Sequence, residues 1–273
     1  MTGPHAFPDA RAILEAADRA VCLERPAGDA STHSSPALDL PAAEALQAEV
    51  VALRRARGER PIGFKIGFTN RSIWPLYGVY HPIWAPVYDT TVTFLQGTDG
   101  QLALARFVQP RLEPEIVFGL RESPASSDPD AVFACIDWVA HGFEIVQSAW
   151  PDWKFTAAEA VAVQSLHGAL LVGPRRPRAS VLPAPEALAG FRLTLFRDGQ
   201  AVARGEGRQV LDSPLHALCH LVRELDRRGQ RVPAGAIVTT GTITDAQPLA
   251  PGQRWHTDLA GLDLPGLTLT TGP

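Results

Sequence analysis

Three glutamates stand where a carboxylate is least at ease. Glu113 and Glu115 fall in Arg111-Leu-Glu-Pro-Glu-Ile-Val-Phe118, and Glu144 falls in His141-Gly-Phe-Glu-Ile-Val-Gln147; both runs are apolar and rich in strand formers. An ionised carboxylate buried without a partner is costly, so each of these needs a cation or hydrogen-bond donors to answer it. On a strand, side chains at i and i+2 share a face, which aims Glu113 and Glu115 the same way with oxygens near enough to grip one ion. All-oxygen coordination by few protein ligands is what Mg²⁺ or Mn²⁺ accepts. Pro114 between them has no N–H to give to a ladder, which places the pair at an edge or a bulge where a site opens to solvent. The same residues also suit blander arrangements: a solvated strand face for Glu-x-Glu, and an arginine salt bridge for Glu144.

Lys65 is the matching cation. It sits in Gly63-Phe-Lys-Ile-Gly-Phe-Thr69, where two glycines bracket an apolar stretch and permit close backbone approach. Pointing inward near carboxylates, it would bind a substrate carboxylate or move a proton; pointing outward, it is a snorkelling surface lysine. His216 and His220 are one helical turn apart but lack a third ligand and flank an apolar stripe, so they read as structural. Gly205-Glu-Gly207 lacks the third glycine of a phosphate loop and reads as a turn.

The elements that must hold these groups are legible in outline. Ile13, Leu14, Ala17 and Val21 recur with helical period after Asp9, as do Ala43, Leu46, Val50 and Leu53 after Pro41; Arg25 to Leu40 between them reads as a loop. From about residue 60 the chain changes to short apolar runs bounded by Gly, Pro, Asn or Asp, such as 86–95, 115–120, 191–196 and 236–240, which read as strands. Two helices interrupt them. One starts at the capping box Thr156-Ala-Ala-Glu159, so Glu159 is a cap rather than a ligand. The other is capped by Asp212 or Ser213, carries the stripe Leu215, Leu218, Val222 and Leu225, and ends at Gly229. The expectation is a β-rich α+β protein with a small helical N-terminal segment over 1–59 and its main domain over 60–273.

Composition narrows the partners. With 273 residues, 45% hydrophobic and 20% charged, the chain can bury a large core. A formal charge of -4 and the lack of a Lys/Arg run leave no electrostatic footprint for nucleic acid. No apolar run is long enough to span a bilayer, and Met-Thr-Gly-Pro-His5 lacks the features of a signal peptide, which points to a cytoplasmic protein with no membrane partner. Three cysteines at no metal-like spacing indicate neither disulfides nor structural zinc.

Taken in order, several segments resemble one family. The two glutamate runs, Gly63–Thr69, Phe143-Glu-Ile-Val-Gln-Ser148 with Asp152-Trp-Lys154, Gly207-Arg-Gln-Val-Leu211 into Pro214-Leu215, and Gly241-Thr-Ile-Thr244 with Pro248-Leu-Ala-Pro-Gly252 are similar to the 2-keto-4-pentenoate hydratase and 4-oxalocrotonate decarboxylase family of the fumarylacetoacetate hydrolase superfamily. The resemblance implies a fumarylacetoacetate hydrolase-type mixed β-sandwich or roll over 60–273, with Mg²⁺ or Mn²⁺ held by Glu113, Glu115 and Glu144. It implies a catalytic or substrate-binding role for Lys65, a carboxylate-binding turn at Thr242, substrate contact by Lys154, and an acid near the substrate tail at Asp89. The implied activity is hydration of a 2-hydroxy-2,4-dienoate through a metal-chelated dienolate; decarboxylation or C–C hydrolysis of a 2-oxo acid on the same scaffold, or a catalytically silent binding module, are the alternatives. A homo-oligomer is expected on the same ground.

One segment departs from the family's pattern. Where relatives carry an Asp-Asn-Ala-Ser-Ser-Gly type run, this chain reads Val163-Gln-Ser-Leu-His-Gly168, placing His167 at a pocket serine. His167 is then an acid or base, a contact to an altered substrate tail, or a packed histidine. Trp74, Trp84, Trp150 and Trp153 are candidates for an aromatic tail pocket, or for the core.

Overall fold

A computed structural model of the chain describes residues 7–24, 38–78 and 80–273. The loop expected between Arg25 and Leu40 lies outside them up to residue 37, and Leu40 already belongs to a helix. That helix, α2 (Leu40–Ala56), and α1 (Ala10–Asp18) each begin at an aspartate whose side chain accepts from the backbone three residues on: Asp9 from the Ala12 N–H and Asp39 from the Ala42 N–H. Both capping-box hydrogen bonds between Thr156 and Glu159 are present, opening the Ala157–Ala162 helix. Ser213 caps the Pro214–Arg227 helix, whose stripe is buried as its spacing requires. Among the described residues no helix is long and apolar enough to cross a membrane.

The strands are β1 (Pro61–Gly67), β2 (Ile83–Tyr88), β3 (Val92–Phe94), β4 (Asp99–Ala103), β5 (Arg111–Leu120), β6 (Ile136–Val146), β7 (His167–Val172) and β8 (Arg176–Pro177). They continue with β9 (Arg192–Arg197), β10 (Gln200–Glu206), β11 (Ile237–Thr242), β12 (Gln247–Pro248), β13 (Arg254–Ala260) and β14 (Thr268–Gly272). The larger, mixed sheet runs in the order β2-β1-β11-β5-β6-β7-β3, with β12 on β5 and β8 on β6; the second runs β10-β9-β13-β14-β4. The run expected as one strand over 86–95 is two, because the chain turns at 89–91 and β3 pairs with β7 instead.

Alternation along β5 and β6 sorts the core from the site. Leu112, Ile116, Phe118 and Leu120, with Phe143 and Ile145 of β6, face the main core, which the second sheet and the Pro214–Arg227 helix close. The other face carries Glu113, Glu115 and Glu144 at one end and Val117 and Ala140 at the other. Helices α1 and α2 pack with the Ala157–Ala162 helix in a further apolar cluster that reaches Ile83, Val146, Phe155 and Leu166. Strand β5 is not an edge: it is hydrogen-bonded on both sides, and Pro114 lies where the pairing of β11 slips between Thr239 and Thr242. The Pro114 carbonyl accepts from the Ile243 N–H on that slipped side, so the missing proline N–H costs the sheet little.

Candidate active site

The register of β5 against β6 sets Glu113 opposite Glu144, and Glu115 opposite Gly142, where a Cβ would stand 2.8 Å from Val117 Cγ2, so the glycine lets that side chain pack close. One oxygen from each of Glu113, Glu115 and Glu144 lies within 4.8 Å of the others. Lys65 reaches the cluster from β1: its ammonium is 3.4 Å from Glu144 Oε2 and donates to the Ser165 carbonyl at 2.9 Å. The lysine is only 2% exposed, so it points inward. Gly67 makes that possible, since a Cβ there would stand 3.1 Å from Lys65 Nζ and 3.4 Å from Ile83 Cγ1. A site cavity of about 370 Å³ opens over the cluster, lined by Lys65, Arg111, Glu113, Thr69, Thr242 and Leu166 among others.

Each charge has identifiable answers. Glu115 Oε2 accepts from the Gly241 N–H at 2.8 Å and from the Thr239 hydroxyl. Glu144 Oε1 accepts from His167 Nδ1 at 2.8 Å. Because a carboxylate only accepts, Nδ1 carries the proton and Nε2 takes the Thr91 hydroxyl, 2.9 Å away. Glu115 Oε1 and Glu144 Oε2, both buried, have no hydrogen-bond partner. Burial raises the Glu113 carboxyl to about 7, against the pull of Lys65, and raises Glu115 well above the usual range, with Glu144 and Glu113 adding to it. Burial also opposes ionisation of Glu144, but Lys65 and then His167 overcome it and hold that carboxyl below its ordinary value. Lys65 is raised despite burial because three carboxylates face it, Glu144 foremost. The ion pair in this cluster is therefore Lys65 with Glu144. Glu115 Oε1, buried without a partner, and Glu144 Oε2, answered only by the Lys65 ammonium, stand beside a third glutamate in an all-oxygen set that fits a hard divalent cation, with Glu113, Glu115 and Glu144 as the residues to hold it.

A strained segment forms one wall. Gln164, Ser165 and Leu166 take φ values of 59°, 51° and 67°, three consecutive non-glycine residues in the left-handed region, at roughly 1–2 kcal/mol each. Neighbouring hydrogen bonds hold it there. Gln164 Nε2 donates to the Gln47 carbonyl and its Oε1 accepts from Tyr88 OH; Ser165 Oγ donates to the Trp84 carbonyl; the Leu166 carbonyl accepts from the Gln147 N–H. The result aims the Ser165 carbonyl at Lys65 and sets Leu166 into the cavity wall.

The residues expected in the site divide accordingly. Lys65, Glu113, Glu115, Glu144 and Thr242 come together; the Thr242 hydroxyl donates to the Thr244 carbonyl at 2.7 Å. Asp89 does not join them. It lies beyond the end of β2, where its carboxylate accepts from the Arg60 N–H and side chain, and it does not line the site cavity. Lys154 is exposed, and its neighbours Trp153 and Phe155 line the cavity instead. His167 is buried behind Glu144 rather than in the cavity, because the first residue of β7 turns its ring toward β6 and Thr91. Of the four tryptophans only Trp153 lines the cavity; Trp150 is buried among the helices. Four contributors escaped the sequence reading: Thr69, whose buried hydroxyl lines the cavity without a partner; Thr239 and Gly241, which bond Glu115; and Arg111, stacked 4.1 Å over Trp153. The signal for Thr69 and Gly241 was their membership of the glycine-bracketed motifs.

Residues 81–265 match the model for the fumarylacetoacetate (FAA) hydrolase C-terminal domain. The chain belongs to the fumarylacetoacetate hydrolase family. Within that family it is 30% identical over 234 residues to the 2-hydroxyhexa-2,4-dienoate hydratase of Comamonas testosteroni, covering 85% of this chain and 86% of that protein. It is likewise 30% identical over 209 residues to a 4-oxalocrotonate decarboxylase of a Pseudomonas species, covering 76% of this chain and 78% of the relative. The solved structure of 4-oxalocrotonate decarboxylase from Pseudomonas putida G7, complexed with magnesium and adipate, superposes with a TM-score of 0.85 at 24% identity, covering 96% of this chain and 95% of that one. The α+β architecture with two mixed sheets is thus the family's fold.

Proposed function

We propose that this chain is a divalent-metal-dependent hydro-lyase that adds water to a 2-hydroxy-2,4-dienoate, with Mg²⁺ or Mn²⁺ held by Glu113, Glu115 and Glu144. The observation that carries this reading is the convergence of three glutamate oxygens within 4.8 Å of one another, one of them the buried, unpartnered Glu115 Oε1, beside Lys65 at a cavity large enough for a six-carbon acid. The similarity to dienoate hydratases over most of the chain supports the reaction class. When bound, the ion supplies a Lewis acid for the oxygens of a 2-oxo acid.

The chain's own residues do the rest. Lys65 keeps its proton, since three carboxylates raise its pKa, and offers a fixed ammonium to the developing negative charge. The unpartnered Thr69 hydroxyl donates to the substrate carboxylate. Helix α2, in the segment over 1–59, braces the left-handed wall through Gln47, while the body over 60–273 carries the reacting groups. Asp89 and Lys154 take no part.

Glu115→Gln keeps an acceptor for the Gly241 N–H but cannot ionise to hold a cation. It is expected to fold with a near-normal melting temperature and to lose metal-dependent turnover; full turnover would overturn the assignment. The decarboxylase reading has the second relative in its favour, and CO₂ release in place of a hydrated product would establish it.

A further inference from the structure

The site cavity has two unlike walls. One is polar, formed by Thr69, Asn70, Thr242 and Thr244 on the side of the β1 and β11 ends. The other is apolar: Ile83, Val146, Phe155 and Leu166 belong to a single buried cluster shared with α1, α2 and the Ala157–Ala162 helix. Among the described lining residues the charged ones are Lys65, Glu113, Arg111 and Asp245. Lys65 and Glu113 are engaged in the carboxylate cluster, and Asp245 is exposed and of the wrong sign to welcome an anion. Arg111 lies over Trp153, two residues along the same strand face from Glu113.

The apolar wall is held, not incidental. Leu166 sits at φ 67° at the end of the strained triplet, with its carbonyl tied to the Gln147 N–H and the preceding residues tied to Gln47, Tyr88 and Trp84. An exposed leucine would gain nothing from that conformation. Here it presents a branched hydrocarbon to the cavity, where a carboxylate would lose its hydration without gaining a donor.

We infer that the far end of the substrate is an uncharged hydrocarbon seated against Leu166, Ile83, Val146 and Phe155. The chain then selects monocarboxylic 2-hydroxy-2,4-dienoates with an alkyl end over those ending in a second carboxylate, and Leu166 is a specificity-determining residue. This rests on the proposed dienoate chemistry and goes beyond it by naming the substrate's far end.

The test compares kcat/KM for 2-hydroxyhexa-2,4-dienoate, which ends in a methyl group, with that for 2-hydroxyhexa-2,4-dienedioate, which ends in a carboxylate, in the Mg²⁺-loaded protein. The alkyl substrate is expected to be favoured by roughly 100-fold. Leu166→Asn is the informative variant, because asparagine tolerates the left-handed conformation and matches leucine in shape while bringing an amide. The ratio should fall at least about tenfold, chiefly through KM. Val146→Thr, near-isosteric on a strand, should lower the ratio in the same direction and guards against misfolding of the first variant. Equal or better turnover of the dicarboxylate by the unaltered protein, which would assign its far end to Arg111, overturns the inference, as does an unchanged ratio in both variants. Calorimetry of oxalate binding with and without Mg²⁺ separates the two levels. Metal-dependent oxalate binding without alkyl preference sinks the inference alone; no binding and no turnover of either dienoate sinks the proposed function with it.

Discussion

Replacing His167 by alanine tests what the histidine does. Its Nδ1–H donates to Glu144 Oε1 at 2.8 Å, the residue is only 6% exposed, and burial keeps the ring neutral by lowering its pKa. A hydrogen bond to a charged acceptor is worth about 1.5–3 kcal/mol, and removing a group that orients a metal ligand lowers metal affinity by about 10–100-fold. Once the donor is gone, Glu144 keeps Lys65 at 3.4 Å as its main support and is free to turn away from Glu113 and Glu115. The Kd for Mg²⁺, measured calorimetrically in the presence of oxalate, should therefore rise by about 10–100-fold.

Because the ring does not line the cavity, the ratio of rates across substrates differing at the far end should stay within about twofold. Thr91→Val, which removes only the hydroxyl at Nε2, should give a smaller loss in the same direction. The sequence pointed the other way, toward a substrate-contacting His167. An unchanged Mg²⁺ affinity with a shifted substrate ratio would restore that view and refute the positioning role.

Two further outcomes follow from the surroundings of the site. Gly241 has φ 107°, and a Cβ there would stand 1.9 Å from Thr69 Oγ1; Gly241→Ala should cost about 3 kcal/mol or more in a denaturant titration, whereas Gly235→Ala, at φ 78° with open space, should cost about 1 kcal/mol. His141 is buried between the Glu115 carbonyl and the Thr257 hydroxyl, and burial lowers its pKa from 6.5 to about 4. The unfolded chain therefore binds that proton first: about 3 kcal/mol of stability, present above pH 6.5, is lost as the pH falls to 4. Melting temperatures across that range should follow this curve in the native protein and lose the His141 component in His141→Gln.

The fold and the charged end of the site were legible because local rules act on them directly. Period-2 alternation put Glu113 and Glu115 on one face, capping chemistry marked Thr156 and, with Asp212 as the alternative, Ser213, and Gly67 beside Lys65 left room for its head. What the sequence withheld depends on long-range pairing. Pro114 reads as the mark of an edge or a bulge, and only the pairing decides between them: β5 is interior, and β11 slips beside the proline. The turn after Tyr88 carries Asp89 to Arg60 instead of the cavity, and no local pattern encodes that partner. His167 and Leu166 are adjacent, and the departure from the family's serine falls on the histidine. The left-handed backbone reverses the expected facing, so Leu166 meets the cavity and His167 supports Glu144 from behind.

The charge balance of the cluster leads to a last prediction. Fully ionised, three carboxylates and one ammonium would bury two net negative charges. The protein avoids this: Lys65 pairs with Glu144, while burial raises Glu113 to a pKa of about 7 and Glu115 well above the usual carboxylate range, so both resist ionisation. A divalent cation can replace a proton on each without changing the buried charge, so burial of the glutamates favours exchange over simple addition. At pH 7 about half of the Glu113 sites are protonated, and the raised Glu115 carboxyl adds to them, so binding should release protons. Affinity should then rise with pH through neutrality. Calorimetric titration of Mg²⁺ in two buffers of different ionisation enthalpy measures the released protons directly. A pH-independent affinity with no proton release at pH 6 would mean that all three carboxylates are already ionised in the metal-free protein. The balance between Lys65 and the glutamates would then be wrong at its root.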